Sequence, residues 1–188
     1  MSQRLSLSGK LLIAMPSIRG DDFERSVVFL CSHTEDGAMG LVINKPAPRM
    51  VFSDLVEKLN LDQTAEEILQ LPVLFGGPVK RIHGFVLHGS DYKSDQTLCV
   101  NADFALTATT DILKAIAGGT GPLSKILALG YSGWSPGQLE DEIMHNGWLH
   151  CDADPALVFG TLRERLHDAA LAKLGVSAAM LSSEAGRA

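Results

Sequence analysis

The chain has 188 residues, 46% of them apolar and 20% charged, with a net charge of -6 and an isoelectric point near 5.4. That length suits one domain, which buries roughly 70% of its unfolded surface and needs no disulfide or metal to hold a core. The acidic balance argues against a nucleic-acid backbone as the main partner, because the densest basic spots are isolated pairs, Lys80-Arg81 and Arg163 with Arg165.

Near the N-terminus Arg4 and Lys10 precede an apolar stretch, Leu11–Met15, that is too short for a signal-peptide core. No segment approaches the ~18 apolar residues of a spanning helix, so the expectation is a soluble cytoplasmic protein without a membrane association. Leu11–Met15 reads instead as a first strand stopped by Pro16. After the Arg19–Asp22 loop, Ser26–Cys31 is a continuous apolar run that suits a strand buried on both faces. A turn at Glu35-Asp36-Gly37 and a returning strand at Gly40–Asn44 complete a hairpin. Ser53 can cap a helix that presents Leu55, Val56 and Leu59, and a second short helix fits 65–69.

Val73–Phe75 and Gly84–His88 read as strands on either side of a Gly76-Gly77-Pro78 turn. Thr97–Val100 and Ala105–Thr107 carry weaker strand patterns. Thr109 or Thr110 can cap a helix using Ile112, Leu113 and Ile116 that stops at Gly118-Gly119. Ile126–Leu129 is another apolar strand. Two helices follow, over 136–145 and 162–174, the latter with a Thr161-x-x-Glu164 capping box and Gly175 as its stop. Beyond Val176 the chain turns small and polar and reads as a tail over 177–188, which leaves a core of about 8–176. Strands and helices do not alternate strictly, so an α/β (α+β) fold with a mixed sheet and helices packed around it is expected.

The chemistry-bearing residues concentrate in Gly130–Glu142. Ser135, Pro136 and Gln138 form a capping box with proline at the first helical position. Glu140, Asp141 and Glu142 then fall in or near the first turn, where the helix dipole favours negative charge. Helix initiation thus explains these residues without a substrate. It does not explain Trp134 or the Gly130-Tyr131-Ser132-Gly133 approach. Ser132 suggests a nucleophile elbow, but the final glycine of that pattern is replaced by Trp134. His88, His145 and His150 could serve as a base, yet no spacing singles one out. His83 with His88, and His145 with His150, stand five apart, an interval that diverges on a strand and on a helix alike. Cys31, Cys99 and Cys151 are widely spaced without a C-x-x-C, and read as reduced thiols. Gly76-Gly77-Pro78 and Gly118–Pro122 match no nucleotide-binding loop and read as turns. Asp21, Asp22 and Glu24 read as a solvated loop. No catalytic residue, metal ligand or cofactor is assigned.

Several of these segments together resemble the YqgE/AlgH family of bacterial proteins. The resemblance is carried by Gly9–Pro16, Phe23–Leu30, Gly37–Pro46, Phe75–Val79, Gly84–His88, Gly133–Glu140 and Asn146–Leu149, and it spans roughly residues 8 to 174. Asp22 stands where the family often has proline, which alters the stiffness of that loop. The resemblance implies a branched or partly barrel-like sheet surrounded by helices. It also implies a transcriptional-regulator label, without an established activity, cofactor or catalytic residue. The acidic chain shows no helix-turn-helix pattern, so regulation is expected to run through an unidentified protein partner.

Three functions are therefore weighed. The first is a non-enzymatic regulatory protein that uses Tyr131, Trp134 and Trp148 as interface anchors. The second is a small-anion binder or hydrolase-like enzyme where Gly130–Gly137 and Gly76–Val79 converge with His88 and Glu140. The third is direct DNA binding. The candidate ligand or partner surface comprises Gly76, Gly77, Pro78, His88, Tyr131, Ser132, Trp134, Gln138 and Glu140.

Overall fold

The computed structural model of the chain describes residues 6–20, 22–61 and 65–184, so Asp21 of the acidic loop and the last four residues of the expected tail lie outside it. In chain order the described strands are β1 (Lys10–Ala14), β2 (Val27–Thr34), β3 (Gly37–Val42), β4 (Pro46–Val51), β5 (Pro72–Phe75), β6 (Val79–Gly89), β7 (Leu98–Cys99), β8 (Phe104–Thr107), β9 (Lys125–Trp134) and β10 (Trp148–Asp152). The helices are α1 (Phe52–Lys58), α2 (Glu66–Leu69), α3 (Thr110–Ala117), α4 (Gln138–Met144), α5 (Pro155–Gly160), α6 (Leu166–Lys173) and α7 (Ala178–Glu184). Among the described residues no helix is long and apolar enough to cross a membrane.

The strands form a curled, mostly antiparallel half-barrel in the order β10-β1-β2-β3-β9-β6-β8-β7. A parallel strand, β5, adds to β9, and β4 pairs with β5. The sheet is therefore mixed and branched, as the sequence resemblance implied. Side chains alternate between two covered faces, which explains why Leu11–Ala14 of β1 and Val27–Cys31 of β2 are apolar on successive residues. Leu11, Ile13, Val27 and Phe29 point into the half-barrel, where Val158, Leu166, Ala170 and Leu171 of α5 and α6 cover them. Leu12, Ala14, Val28 and Leu30 point the other way, onto Trp134, Leu139 and Trp148. A third cluster packs Val73, Val86 and Leu127 of β5, β6 and β9 against Phe52, Ile112 and Ile116 of α1 and α3.

The branch has one physical origin. Along β9, Ile126–Leu129 pair with Leu87–Gly84 of β6, and Leu127–Leu129 pair in parallel with Val73–Phe75 of β5. Past Gly130 the same strand leaves β5, and Ser132–Trp134 pair with Gly40–Ala38 of β3. Gly130 turns the strand with φ +74°, and a Cβ there would lie 2.3 Å from the Gly77 carbonyl oxygen. Gly77 has φ +152°, and a Cβ on it would lie 2.2 Å from the Tyr131 backbone. Only glycine combines that conformation with that approach. Between Val79 and Gly84 the β6 register also shifts, so Lys80–His83 loop away from the sheet as a short arm.

Several local expectations change. The helix read from Ser53 begins at Phe52, with Val51 before it, and Asp54 Oδ2 accepts the Val51 N–H at 2.8 Å. The helix read from 136 begins at Gln138, after Gly137 adopts φ +77°. The Thr161 capping box starts no long helix. A 3-10 turn at Arg163–Arg165 intervenes, and α6 begins at Leu166. The segment read as a tail from 177 contains α7, whose Ala178 and Leu181 pack against the main core because they share one helical face. β4, β10 and α5 had no counterpart in the sequence reading.

Gly130→Ala should lower stability by more than about 2 kcal/mol, since strain and a backbone clash act together. Gly84→Ala, one strand away, should change it by less than about 0.5 kcal/mol or raise it, because its Cβ would meet nothing within 4 Å. Urea unfolding of the two variants checks both.

Candidate functional site

The Gly133–Glu142 segment is organised around one carboxylate. Trp134 Nε1–H and Trp148 Nε1–H both donate to Glu142 Oε2, at 2.9 and 2.7 Å. Gln138 Nε2 donates to Glu142 Oε1 at 2.9 Å, while Gln138 Oε1 accepts the Ser135 N–H at 3.0 Å. The capping expectation is thus met from the glutamine side, by a bond that closes the turn ahead of α4. The two indoles meet edge to face at 6.0 Å, and Phe23 packs edge-on to Trp148 at 5.9 Å. Trp134 is 7% and Trp148 3% exposed, so neither ring is offered to a partner and the sequence reading of both as surface anchors is corrected. Each hydrogen bond to a charged acceptor contributes about 1.5–3 kcal/mol, and a half-buried glutamate with three donors is a structural post.

The neighbouring acid has a separate role. Glu140 Oε1 lies 3.3 Å from His33 Nε2. His33 Nδ1 accepts the Leu7 N–H at 3.1 Å, so Nε2 carries the ring proton and points it at Glu140. This histidine ties the N-terminal segment and β2 to α4. In the sequence His33 stands out only as half of a Cys31-x-His33 pair that matches no zinc pattern, and this tie is not legible there because its partners lie 26 and 107 residues away.

Ser132 lies on β9, and His88 lies on β6 beside the opposite end of β9. Ser132 is buried and its hydroxyl donates to the Gly76 carbonyl at 3.2 Å. His88 is buried opposite Lys125, seven residues along the strand from Ser132, a span on the order of 20 Å. Its Nδ1–H donates to the Gly89 carbonyl at 2.7 Å, and Nε2 therefore accepts from the Thr107 hydroxyl at 2.9 Å. Thr97 and Ser94 continue that hydroxyl chain, at 2.8 and 3.1 Å. Burial holds the His88 pKa below the ordinary 6.5, against the opposite pull of the Gly89 carbonyl and Asp91. A serine already committed to a carbonyl and a neutral histidine at the far strand end form no nucleophile–base pair. Burial likewise pushes the Cys31 thiol up to about 12, far from a thiolate nucleophile. Among the described residues, no three His, Cys, Asp or Glu side chains gather so as to hold a metal ion.

Two of the predicted segments do converge. Gly76–Val79 and Gly130–Ser132 touch backbone to backbone, and beside them opens a broad concave face of about 860 Å³. Tyr131, Val79, Phe85, Gly133, Ser135 and Pro136 line it, together with Lys80 and His83 of the β6 arm and Asp36. The Tyr131 and Phe85 rings meet edge to face at 5.8 Å. A Cβ on Gly133 would lie 3.4 Å from the Tyr131 ring, so the glycine leaves that ring room to lie along the strand. Of the nine candidate residues, Tyr131 and Trp134 line this face, while His88, Gln138 and Glu140 do not. Gly76, Gly77, Pro78 and Ser132 build the wall behind it.

Known proteins match the chain along most of its length. A family model described as AlgH-like (DUF179) matches residues 11–179. A UPF0301 protein of Azorhizobium caulinodans is 52% identical over 97% of this chain and 92% of its own length. One from Ruegeria pomeroyi is 53% identical over 98% of this chain and all of its own. The solution structure of the AlgH protein from Pseudomonas aeruginosa is similar at a TM-score of 0.80 and 40% identity, covering 100% of this chain and 99% of that one. A protein from Corynebacterium diphtheriae shares the fold at a TM-score of 0.71 and 18% identity, over 92% of this chain and 90% of that one.

Glu142→Ala should cost roughly 3 kcal/mol, because two buried indole N–H groups lose their acceptor at about 1–3 kcal/mol each. Asp141→Ala, whose side chain is exposed, should stay within about 0.5 kcal/mol, and urea unfolding followed by indole fluorescence separates the two. His88 imposes a pH dependence. Its folded pKa is depressed, so its contribution is full above 6.5 and lost as the pH falls through the folded value, where the unfolded chain takes up a proton first. The urea midpoint should therefore drop less between about pH 7.5 and about pH 5.5 in His88→Gln than in the parent.

Proposed function

The chain belongs to the AlgH-like family, and on that premise we propose that it is a non-catalytic cytoplasmic regulatory protein that acts by binding a protein partner on the concave face beside Tyr131. The observation that carries this reading is the fate of the acidic and hydroxyl groups. Glu142, Gln138 and Ser132 are bound to the protein itself, whereas the face they support is broad, open and lined by aromatic and small side chains. Such a face suits a docked loop or helix, with Tyr131 and Phe85 as its aromatic anchors. A transcriptional effect would then reach DNA through the partner. A chain with a net charge of -6, whose densest basic spots in sequence are isolated pairs, has little to offer a phosphate backbone.

A small-anion or hydrolase-like site on the same segments has less support. The Gly76 carbonyl already accepts from Val42 N–H at 2.8 Å and from Ser132, and the Gly76 N–H donates to Leu129 at 2.8 Å. These groups are spent on strand pairing, and an anion site needs unspent donors.

A photo-crosslinker placed at Lys80 or Ser135 should capture one discrete partner in cytosol of the source bacterium. Tyr131→Glu should abolish that capture, and a crosslinker at exposed Leu174 should give none. Equal capture from both faces, or a salt-sensitive complex with duplex DNA in a gel shift, would overturn the reading.

A further inference from the structure

Behind the sheet, on the face opposite the half-barrel interior, a second cavity of about 460 Å³ lies between β6, β9, α1 and the start of α3. We propose that this cavity binds a small amphiphile with an apolar body and a single anionic head group, a carboxylate or a phosphate monoester. Val86, Leu127 and Leu129 form its floor, and Leu55 of α1 and Leu113 of α3 form its walls. The volume is within the range of small-ligand sites, which run about 300–1,000 Å³.

Charge selects the head group. Lys58, Arg81 and His83 line the cavity, and among the described residues no aspartate or glutamate does, in a chain with more acidic than basic residues. Arg81 also lies 3.5 Å from Asp22, which is outside the lining, and both side chains are exposed. Ile82, on the same arm, is 89% exposed next to Arg81, so the opening pairs apolar surface with positive charge. Such an edge suits the junction between an apolar chain and an anionic head.

Gly84 is the second observation. It pairs with Leu129 in β6, its φ is outside the left-handed region, and a Cβ built on it meets nothing within 4 Å. Nothing in the backbone requires glycine there. By strand alternation its side-chain direction is that of Val86, toward α1 and α3 and hence into the cavity. The missing side chain is what leaves the space open.

The test is calorimetric titration with decanoate, decyl phosphate, decanol and decyltrimethylammonium, each below its micelle-forming concentration. At least one anion should bind in a one-to-one complex, with the preferred head group telling carboxylate from phosphate. Gly84→Leu should weaken that binding by more than about tenfold while the urea midpoint holds or rises. Lys58→Glu, an exposed change, should weaken it several-fold. Failure of both anions to bind overturns the proposal, as does equal affinity for decanol or the cation. Should Gly84→Leu lower the urea midpoint, Lys58→Glu decides, and unchanged affinity in that variant overturns it.

Discussion

The backbone contact between Gly76-Gly77 and Gly130–Ser132 is the constraint from which the rest of the molecule is built. The Gly76 backbone alone ties the end of β5 to two other strands: its N–H bonds to Leu129 of β9, and its carbonyl accepts from Val42 of β3 and from the Ser132 hydroxyl of β9. Because Cβ atoms are absent at Gly77 and Gly130, the two chains approach closely enough for β9 to leave β5 and join β3. A sheet that forks must show a different surface on each side. Here one side is the concave face at Tyr131 and the other the apolar cavity over Leu127. His83 and Phe85 line both, so the β6 arm is their common wall.

The rim of the concave face is held by a different kind of bond. Glu142 gathers two indoles and a glutamine, and through Gln138 it positions the Ser135 amide. Trp148 comes from β10 and Trp134 from β9, so the carboxylate joins an edge strand to the strand that forks. A buried indole N–H without an acceptor is costly, which makes the three-way contact mutually enforcing. The outcome is a stiff edge, and stiff edges lower the ordering cost of binding.

Elements were legible where the burial pattern itself is the signal. Val27–Cys31 and Ile126–Ala128 are apolar on successive residues because both faces of those strands are covered. β10 was not legible, since exposed His150 and Asp152 interrupt its pattern and its pairing with β1 joins residues some 140 positions apart. β4 contains Pro46 and Pro48, which are tolerated because it pairs on one side only, with β5. α5 left a local trace in Asp154-Pro155, where the aspartate accepts the Leu157 N–H at 2.8 Å. In the candidate site, the sequence raised the convergence of Gly76–Val79 with Gly130–Gly137 only as a condition of one reading among three. The burial of Trp134 and Trp148 was not legible, because an indole's exposure is settled by whatever its N–H finds.

The sequence by itself determined which residues form most strands and helices, which faces they bury, and the family the chain belongs to, because those follow from local periodicity and from motifs contiguous in the chain. The tertiary structure alone decided what the polar groups do. Ser132 meets a carbonyl 56 residues away, Glu142 meets indoles from two strands, and His88 meets a hydroxyl on β8. A hydrogen bond reaches only about 3 Å, and no spacing along a chain states which distant atom will stand there.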